Sequence, residues 1–421
     1  MYQYFQKWLI VLLTYFLFFN SIAYAQSKKP FPLRYPTYKG LVMAGYQGWF
    51  NTPGDGAGRG WYHYGGEDGF KPGSCVIDLW PDVREYKKTY KTSFFYKNGQ
   101  PAYVFSAYDS ATVALHFKWM KQYGIDGVFM QRFVTEIKNP SGKNHFNKVL
   151  DYAMASAEKY DRAICIMYDL SGMHPGDEQI ALKDIDELTK KYDLMNGTKS
   201  PTYLHHNGKP IVAIWGVGFN DHRLYGFKEA ETLIDGMKAR GFRVMLGVPT
   251  YWRDLKKDAL TDEELHRLIK KCDIIMPWFV GRYDEHTYPQ FKGLIKKDIE
   301  WCKRNKVDYV PLAFPGFSWK NMKGPGTYSI PRDRGNFFWE QVAAEKNAGA
   351  QMLYIAMFDE MNEGTAIFKC ATNNHLPLDG DGRFVGIDDD LGSDYYLWLA
   401  GQAARWFHGE GDYSSRKPVR N

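Results

Sequence analysis

Eight short apolar runs recur along this chain, separated by stretches with helical patterning, and that alternation restricts the fold more than any other feature. The strand candidates are Leu41 to Trp49, Gly127 to Phe133, Ala163 to Leu170, Pro210 to Gly216, Arg243 to Val248, Ile274 to Phe279, Tyr309 to Phe314 and Met352 to Phe358. Between them the pattern predicts helices at Ser110 to Tyr123, Asn144 to Tyr160, Asp177 to Tyr192, Phe227 to Arg240, Thr261 to Lys271, Tyr288 to Asn305 and Arg334 to Asn347. Glycine stops such as Gly124 and Gly241 lead directly into the next strand. Eight such units favour an α/β chain closed into a (β/α)8 TIM barrel over an open doubly wound sheet. No Gly-x-Gly-x-x-Gly follows the first strand, which removes the main support for dinucleotide binding.

Residues 1–25 read as a signal peptide: Lys7, an apolar core from Trp8 to Phe19, and Ala23-Tyr24-Ala25 ahead of a cut before Gln26. That core is short for a membrane span, and no cysteine follows the cut to take a lipid. The expectation is a secreted or periplasmic protein with no membrane span after cleavage. Residues 26–421, roughly 396 in number, suit a single barrel domain with loop insertions. The longest insertion, residues 50–105 after the first strand, is rich in Gly, Pro, Trp and Tyr and is expected to form a lid or wall at the barrel mouth. Near the C-terminus, Asp379-Gly-Asp-Gly382 and Asp388 to Asp390 precede a final helix at Asp394 to Phe407. Turns and a cap account for these aspartates better than a calcium loop does.

A net charge of +6 over 421 residues, with lysines scattered over helical faces, does not indicate nucleic-acid binding. The five cysteines have neither metal-ligand spacing nor a pattern that selects a disulfide, and Cys165 reads as a core thiol. No metal or cofactor is expected, and no protein partner is indicated.

A parallel barrel gathers side chains from its strand ends into one pocket. The candidates are Tyr46, Gln47 and Trp49; Gln131 and Arg132; Tyr168 and Asp169; Trp215; Tyr251 and Trp252; Trp278 with Arg282 and Tyr283; and Phe314 with Phe317. Aromatic faces stack on sugar rings while amides, hydroxyls and charged groups bind sugar oxygens, so an oligosaccharide or polysaccharide is the expected partner. Packing offers a competing account of single members: Trp215 and Phe314 also suit the barrel's top layer, and Arg132 also suits neutralising Asp169 or a glutamate. At the eighth strand end stand Glu360 and Glu363, with Asp359 before them and Gly364-Thr365 after. Two carboxyls in such a place suit glycosidic bond cleavage, where one protonates the leaving oxygen and the other supplies base or nucleophile. Asp359 also suits a helix cap.

Three blocks resemble glycoside hydrolase family 99, the endo-acting α-mannosidases and α-mannanases, with the α-1,3-glucanase family 71 more distant. They are Gly45-Tyr-Gln-Gly-Trp-Phe-Asn51 with Trp61-Tyr-His63; Pro315-Gly-Phe317 with Pro331-Arg-Asp-Arg-Gly335 and Phe337-Phe-Trp339; and Phe358-Asp-Glu-Met-Asn-Glu-Gly-Thr365. The last is similar to that family's catalytic Asn-Glu-Trp-His-Glu-Gly-Thr signature. The resemblance adds Trp61, His63 and Arg334 to the substrate-binding candidates. It implies that Glu360 acts on the sugar 2-hydroxyl, that Glu363 is the acid/base, and that configuration is retained through a 1,2-anhydro sugar. Met361 and Asn362 stand where the family has Trp and His, Asp359 where it has Asn, and Gln47-Gly48 where it has Tyr-Pro. These departures point to a different sugar or linkage. Glu363 is expected to be protonated near neutrality and Glu360 ionised, aided by Arg or Tyr donors.

Overall fold

The computed structural model describes residues 33–324, 326–378 and 383–420, so the leader and Asp379-Gly-Asp-Gly382 lie outside the described residues. Eight parallel strands build the barrel. They are β1 (Val42–Tyr46), β2 (Gly127–Phe133), β3 (Ala163–Asp169), β4 (Lys209–Trp215), β5 (Arg243–Pro249), β6 (Ile274–Trp278), β7 in two pieces (Asp308–Tyr309 and Leu312–Ala313) and β8 (Leu353–Ile355). Each pairs in parallel with its neighbours in chain order, and β8 returns to β1 with Val42 opposite Leu353.

Closure runs through the divided β7. Its first piece pairs with β6 (Asp308 opposite Ile274), and its second with β8 (Leu312 opposite Tyr354). The division falls at Val310-Pro311. Pro311 has no N–H to donate, but its carbonyl accepts the Tyr354 N–H at 3.0 Å while the Val310 N–H reaches Ile275 at 2.9 Å. The ring is therefore continuous in hydrogen bonds although one stave is broken.

The helices are α1 (Ser110–Tyr123), α2 (Pro140–Tyr160), α3 (Glu178–Tyr192), α4 (Phe227–Ala239), α5 (Glu264–Lys271), α6 (Gly293–Asn305), α7 (Asn336–Asn347) and α8 (Tyr395–Phe407). Helix α2 begins four residues before the expected Asn144 because Pro140, with its fixed φ, opens the first turn. The helix expected from Tyr288 to Asn305 is a short turn, Tyr288–Phe291, followed by α6.

Strand periodicity sorts the core into two layers. Met43, Phe129, Cys165, Met167, Ala213, Met245, Met276, Leu312 and Tyr354 fill the barrel interior. Val42, Ala44, Tyr46, Val128, Ile164, Ile166, Val212, Leu246 and Ile355 pack between barrel and helices. The insertion after β1 has its own aromatic core, Tyr64, Phe70, Trp80 and Phe94, and carries an antiparallel hairpin, Tyr90–Phe95 with Pro101–Val104. Among the described residues no helix is long and apolar enough to cross a membrane.

Candidate active site

The same period of two decides which strand-end candidates reach the mouth. Met43, Phe129, Met167 and Met276 point inward, so Gln47, Gln131, Asp169 and Trp278, which stand an even number of residues further along their strands, share that face. Adjacent candidates face the helices instead. Tyr46 packs in the outer layer with its hydroxyl 2.8 Å from His116 Nδ1. Arg132 gives two hydrogen bonds to Asp184, at 2.8 and 2.6 Å, and Tyr168 donates to the same carboxylate at 2.7 Å. Trp252 is fully buried against Trp301, ring centroids 4.8 Å apart. These four are structural side chains, and Arg132 neutralises neither Asp169 nor a glutamate.

Beyond β8 the chain turns sharply over the end of β1. The Phe358 N–H bonds to the Gly45 carbonyl at 2.7 Å. Asp359 then accepts the backbone N–H groups of Gln47 (2.7 Å) and Gly48 (2.8 Å), one on each oxygen. Asp359 thus caps no helix; it clamps the exit of β1, where Gly48 adopts φ +59°. The clamp delivers Gln47 to Glu360, whose Oε2 accepts the Gln47 amide at 3.0 Å. Glu360 Oε1 accepts the N–H groups of Asn362 at 2.7 Å and Glu363 at 3.3 Å. The donors are therefore a glutamine and the turn's own backbone, in place of the expected Arg or Tyr. Asn362 binds the carbonyls of His63 (2.8 Å) and Val76 (3.1 Å), while Asp78 and Leu79 donate to the Met361 carbonyl, so the insertion walls the acid turn.

Burial pushes the Glu360 carboxyl well up, and repulsion from Glu363 and Asp359 adds to it. Burial also raises Glu363, to about 7, with Asp169 adding repulsion and Trp319 and Arg282 opposing. Asp169, which accepts the Ser171 N–H at 2.8 Å, is itself raised by burial to about 6, with Arg223 opposing. Mutual repulsion keeps the two glutamates from ionising together near neutrality. Every hydrogen-bond partner of Glu360 is a donor, which favours its carboxylate. Burial raises both carboxyls, so the pair retains a proton near neutrality.

Aromatic side chains frame the acids. Trp215 meets Trp278 edge to face at 5.2 Å, and Trp278 lies 6.5 Å from Tyr354, whose hydroxyl receives the Gln131 amide at 3.3 Å. Trp49 is stacked between His63, at 3.7 Å, and Phe133, at 5.1 Å. Burial drives His63 down to about 3, so it serves as a neutral ring. Tyr251 lies on the interior side and accepts Lys257 at 2.9 Å. Trp61 packs into the insertion's own core against Tyr64 and Phe70. Arg334 is half exposed and paired with Asp388 and Asp390, and it makes no contact with the acids. Tyr283 and Phe314 are core residues, and Phe317 packs on Trp319.

Two further residues, Arg223 and Trp319, belong to the site together with the expected Arg282. Arg223 lies 5.0 Å over the Trp215 ring, held by Asp221 and Tyr225. Trp319 and Arg282 stand beside Glu363. Arg223 and Trp319 lie in loops outside the eight strand candidates, which is why strand-end counting passes over them. Buried polar atoms without a partner among the described residues cluster here: Gln47 Oε1, Gln131 Oε1, and the indole nitrogens of Trp49 and Trp215. Acceptors and donors alternating with flat rings suit a ligand rich in hydroxyls. Among the described residues no group of three or more His, Cys, Asp or Glu side chains could hold a metal ion.

No protein-family model and no curated protein matches this chain. Solved structures do. A glycoside hydrolase family 99 endo-α-mannosidase from Bacteroides thetaiotaomicron superposes with a TM-score of 0.63 at 16% identity, over 89% of this chain and 99% of that one. A second structure of such an enzyme from the same organism gives 0.63 at 14% identity over the same shares. A glycoside hydrolase-like protein gives 0.50 at 13% identity, over 77% of this chain and 92% of that one. This chain has the (β/α)8 barrel fold seen in that endo-α-mannosidase.

Proposed function

We propose that this protein is a glycoside hydrolase that cleaves α-linked glycans with retention and in endo fashion, with Glu363 as general acid and Glu360 as its base partner. The observation that carries the reading is the acid turn: two glutamates after β8, one held by three donors and the other raised to about 7, among aromatic rings and unpartnered amide and indole atoms. Glu360 takes the proton of the sugar 2-hydroxyl, whose oxygen attacks the anomeric carbon. The glycosidic bond breaks and its oxygen receives the Glu363 proton. Water then attacks the anomeric carbon, returning a proton to Glu363 while O2 recovers its own from Glu360. The resemblance of the three blocks to glycoside hydrolase family 99 and the likeness of fold support this route. A cleaved leader ending at Ala25 would place the enzyme outside the cytoplasm, and N-terminal sequencing of the exported protein checks it.

The test is product analysis on α-mannan, α-glucan and N-glycans, with Glu360→Gln and Glu363→Gln beside the parent. New reducing ends are expected from the parent. Turnover in each variant should fall about 10²- to 10⁴-fold with glycan binding kept. Activity in the parent should decline as pH rises through about 7, because Glu363 loses the proton it must donate. Glycan binding with no new reducing end on any substrate would overturn the assignment in favour of a non-catalytic glycan-binding barrel.

A further inference from the structure

Beside Gly364 of the acid turn lies a cavity of about 320 Å³ whose wall also includes Arg332, Lys320, Arg334 and Ser329. Arg332 is unusual among the buried charges. It is only 8% exposed, yet no carboxylate lies within ion-pair reach among the described residues. Its Nη2 donates to the carbonyls of Gly364 (2.9 Å) and Ala366 (2.6 Å), while Nε and Nη1 are buried without a partner among the described residues. The guanidinium stacks over Tyr396 at 4.5 Å, and burial without an acid pulls it below the usual arginine range.

Nearby acids do not supply the missing charge. Asp78 is occupied by the Ser318 hydroxyl and the backbone N–H groups of Lys320 and Asn321. Asp388 is 3.5 Å from Arg334 at the rim, and Asp333 is exposed. Lys320 has no acidic partner among the described residues. The lining therefore holds three cations, Lys320, Arg332 and Arg334, against two acids, Asp333 and Asp388, an excess of one positive charge. A buried guanidinium is costly without a counter-ion, and the lining brings a guanidinium, an ammonium and a hydroxyl residue together as donors that suit an anion.

We propose that this cavity binds a tetrahedral oxyanion, phosphate or sulfate, either free or as an ester on a glycan. The site also touches the acid turn. Arg332 holds the carbonyls on both sides of Thr365, and the Ser318 N–H, from the same lining, bonds to the Glu363 carbonyl at 2.8 Å. An anion neutralising Arg332 therefore braces the segment that carries Glu363. Binding is measured without turnover, so the site stands or falls independently of the glycosidase reading.

The experiment is calorimetric titration of the full exported chain with sodium phosphate and with sodium sulfate, against sodium chloride at matched ionic strength. A sulfated oligosaccharide forms a separate arm. Saturable binding of either free oxyanion, or of the sulfated sugar alone, is expected, and the responding arm identifies the source of the anion. Lys320→Ala should weaken binding about ten- to a hundredfold, the loss of one charge-assisted hydrogen bond. Arg332→Lys, which keeps the charge, should weaken binding less than Arg332→Met. Should Arg332→Met fail to fold, Lys320→Ala still decides. Glu363→Gln should bind like the parent. No saturable response over chloride in any arm, or parent-like binding by Lys320→Ala, would overturn the proposal.

Discussion

Glu345 and Glu360 show how differently one residue type is housed within a single barrel. Both are buried, but Glu360 receives three hydrogen bonds, whereas both carboxyl oxygens of Glu345 in α7 have no partner among the described residues. Burial alone pushes Glu345 well above its ordinary value of 4.5, so it folds as the neutral acid. The folded state therefore binds a proton that the unfolded chain has released above that value. Its stability contribution is complete below about pH 4.5 and is lost as pH rises toward the folded value. Replacing Glu345 with Gln removes the titration. Urea midpoints measured at pH 5 and pH 8 should differ less in Glu345→Gln than in the parent, with the variant the more stable at pH 8. Equal pH dependence in the two proteins would refute the neutral-acid account.

At the scale of elements, β1 and the turn after β8 form one unit. Gly45 lies under that turn, and a Cβ there would stand 2.2 Å from the Tyr354 hydroxyl and 2.3 Å from Met357. Gly45→Ala should therefore cost about 1–3 kcal/mol through overpacking and disturb Gln47, two residues on. Denaturant unfolding reads the first effect, and loss of glycan affinity the second. The strand run in β1 and the acid pair after β8 are both legible in the amino-acid order, since each is a local pattern. Their connection is not: Asp359 meets Gln47 and Gly48 across more than three hundred residues, and a sequence offers an aspartate after a strand only the nearby role of a cap.

For the whole molecule, Arg132 and Tyr168 tie β2 and β3 to α3 through one carboxylate, Asp184. Arg132 and Asp184 each have side chains 1% exposed, and Asn147 of α2 accepts a further Arg132 bond at 2.9 Å. Asp184→Asn leaves a buried guanidinium without its charge partner, so stability should fall by about 3–5 kcal/mol. Calorimetric or urea unfolding would record that loss, while the glycan affinity of the folded fraction should stay unchanged because the trio faces away from the mouth. A drop in affinity without a drop in stability would return Arg132 to the binding site.

The amino-acid order by itself determined the eightfold alternation, the place of nearly every barrel element, and the two glutamates after the last strand, because periodicity and helix stops act over a few residues. Tertiary structure alone decided which of Tyr46 and Gln47, Gln131 and Arg132, Tyr168 and Asp169, or Tyr251 and Trp252 enters the mouth. A strand's period of two separates neighbours onto opposite faces, but only ring closure shows which face is the interior. Likewise Arg132 found Asp184 and Arg332 found no acid among the described residues, since the partner of a charge is set by which distant helices the barrel brings beside it.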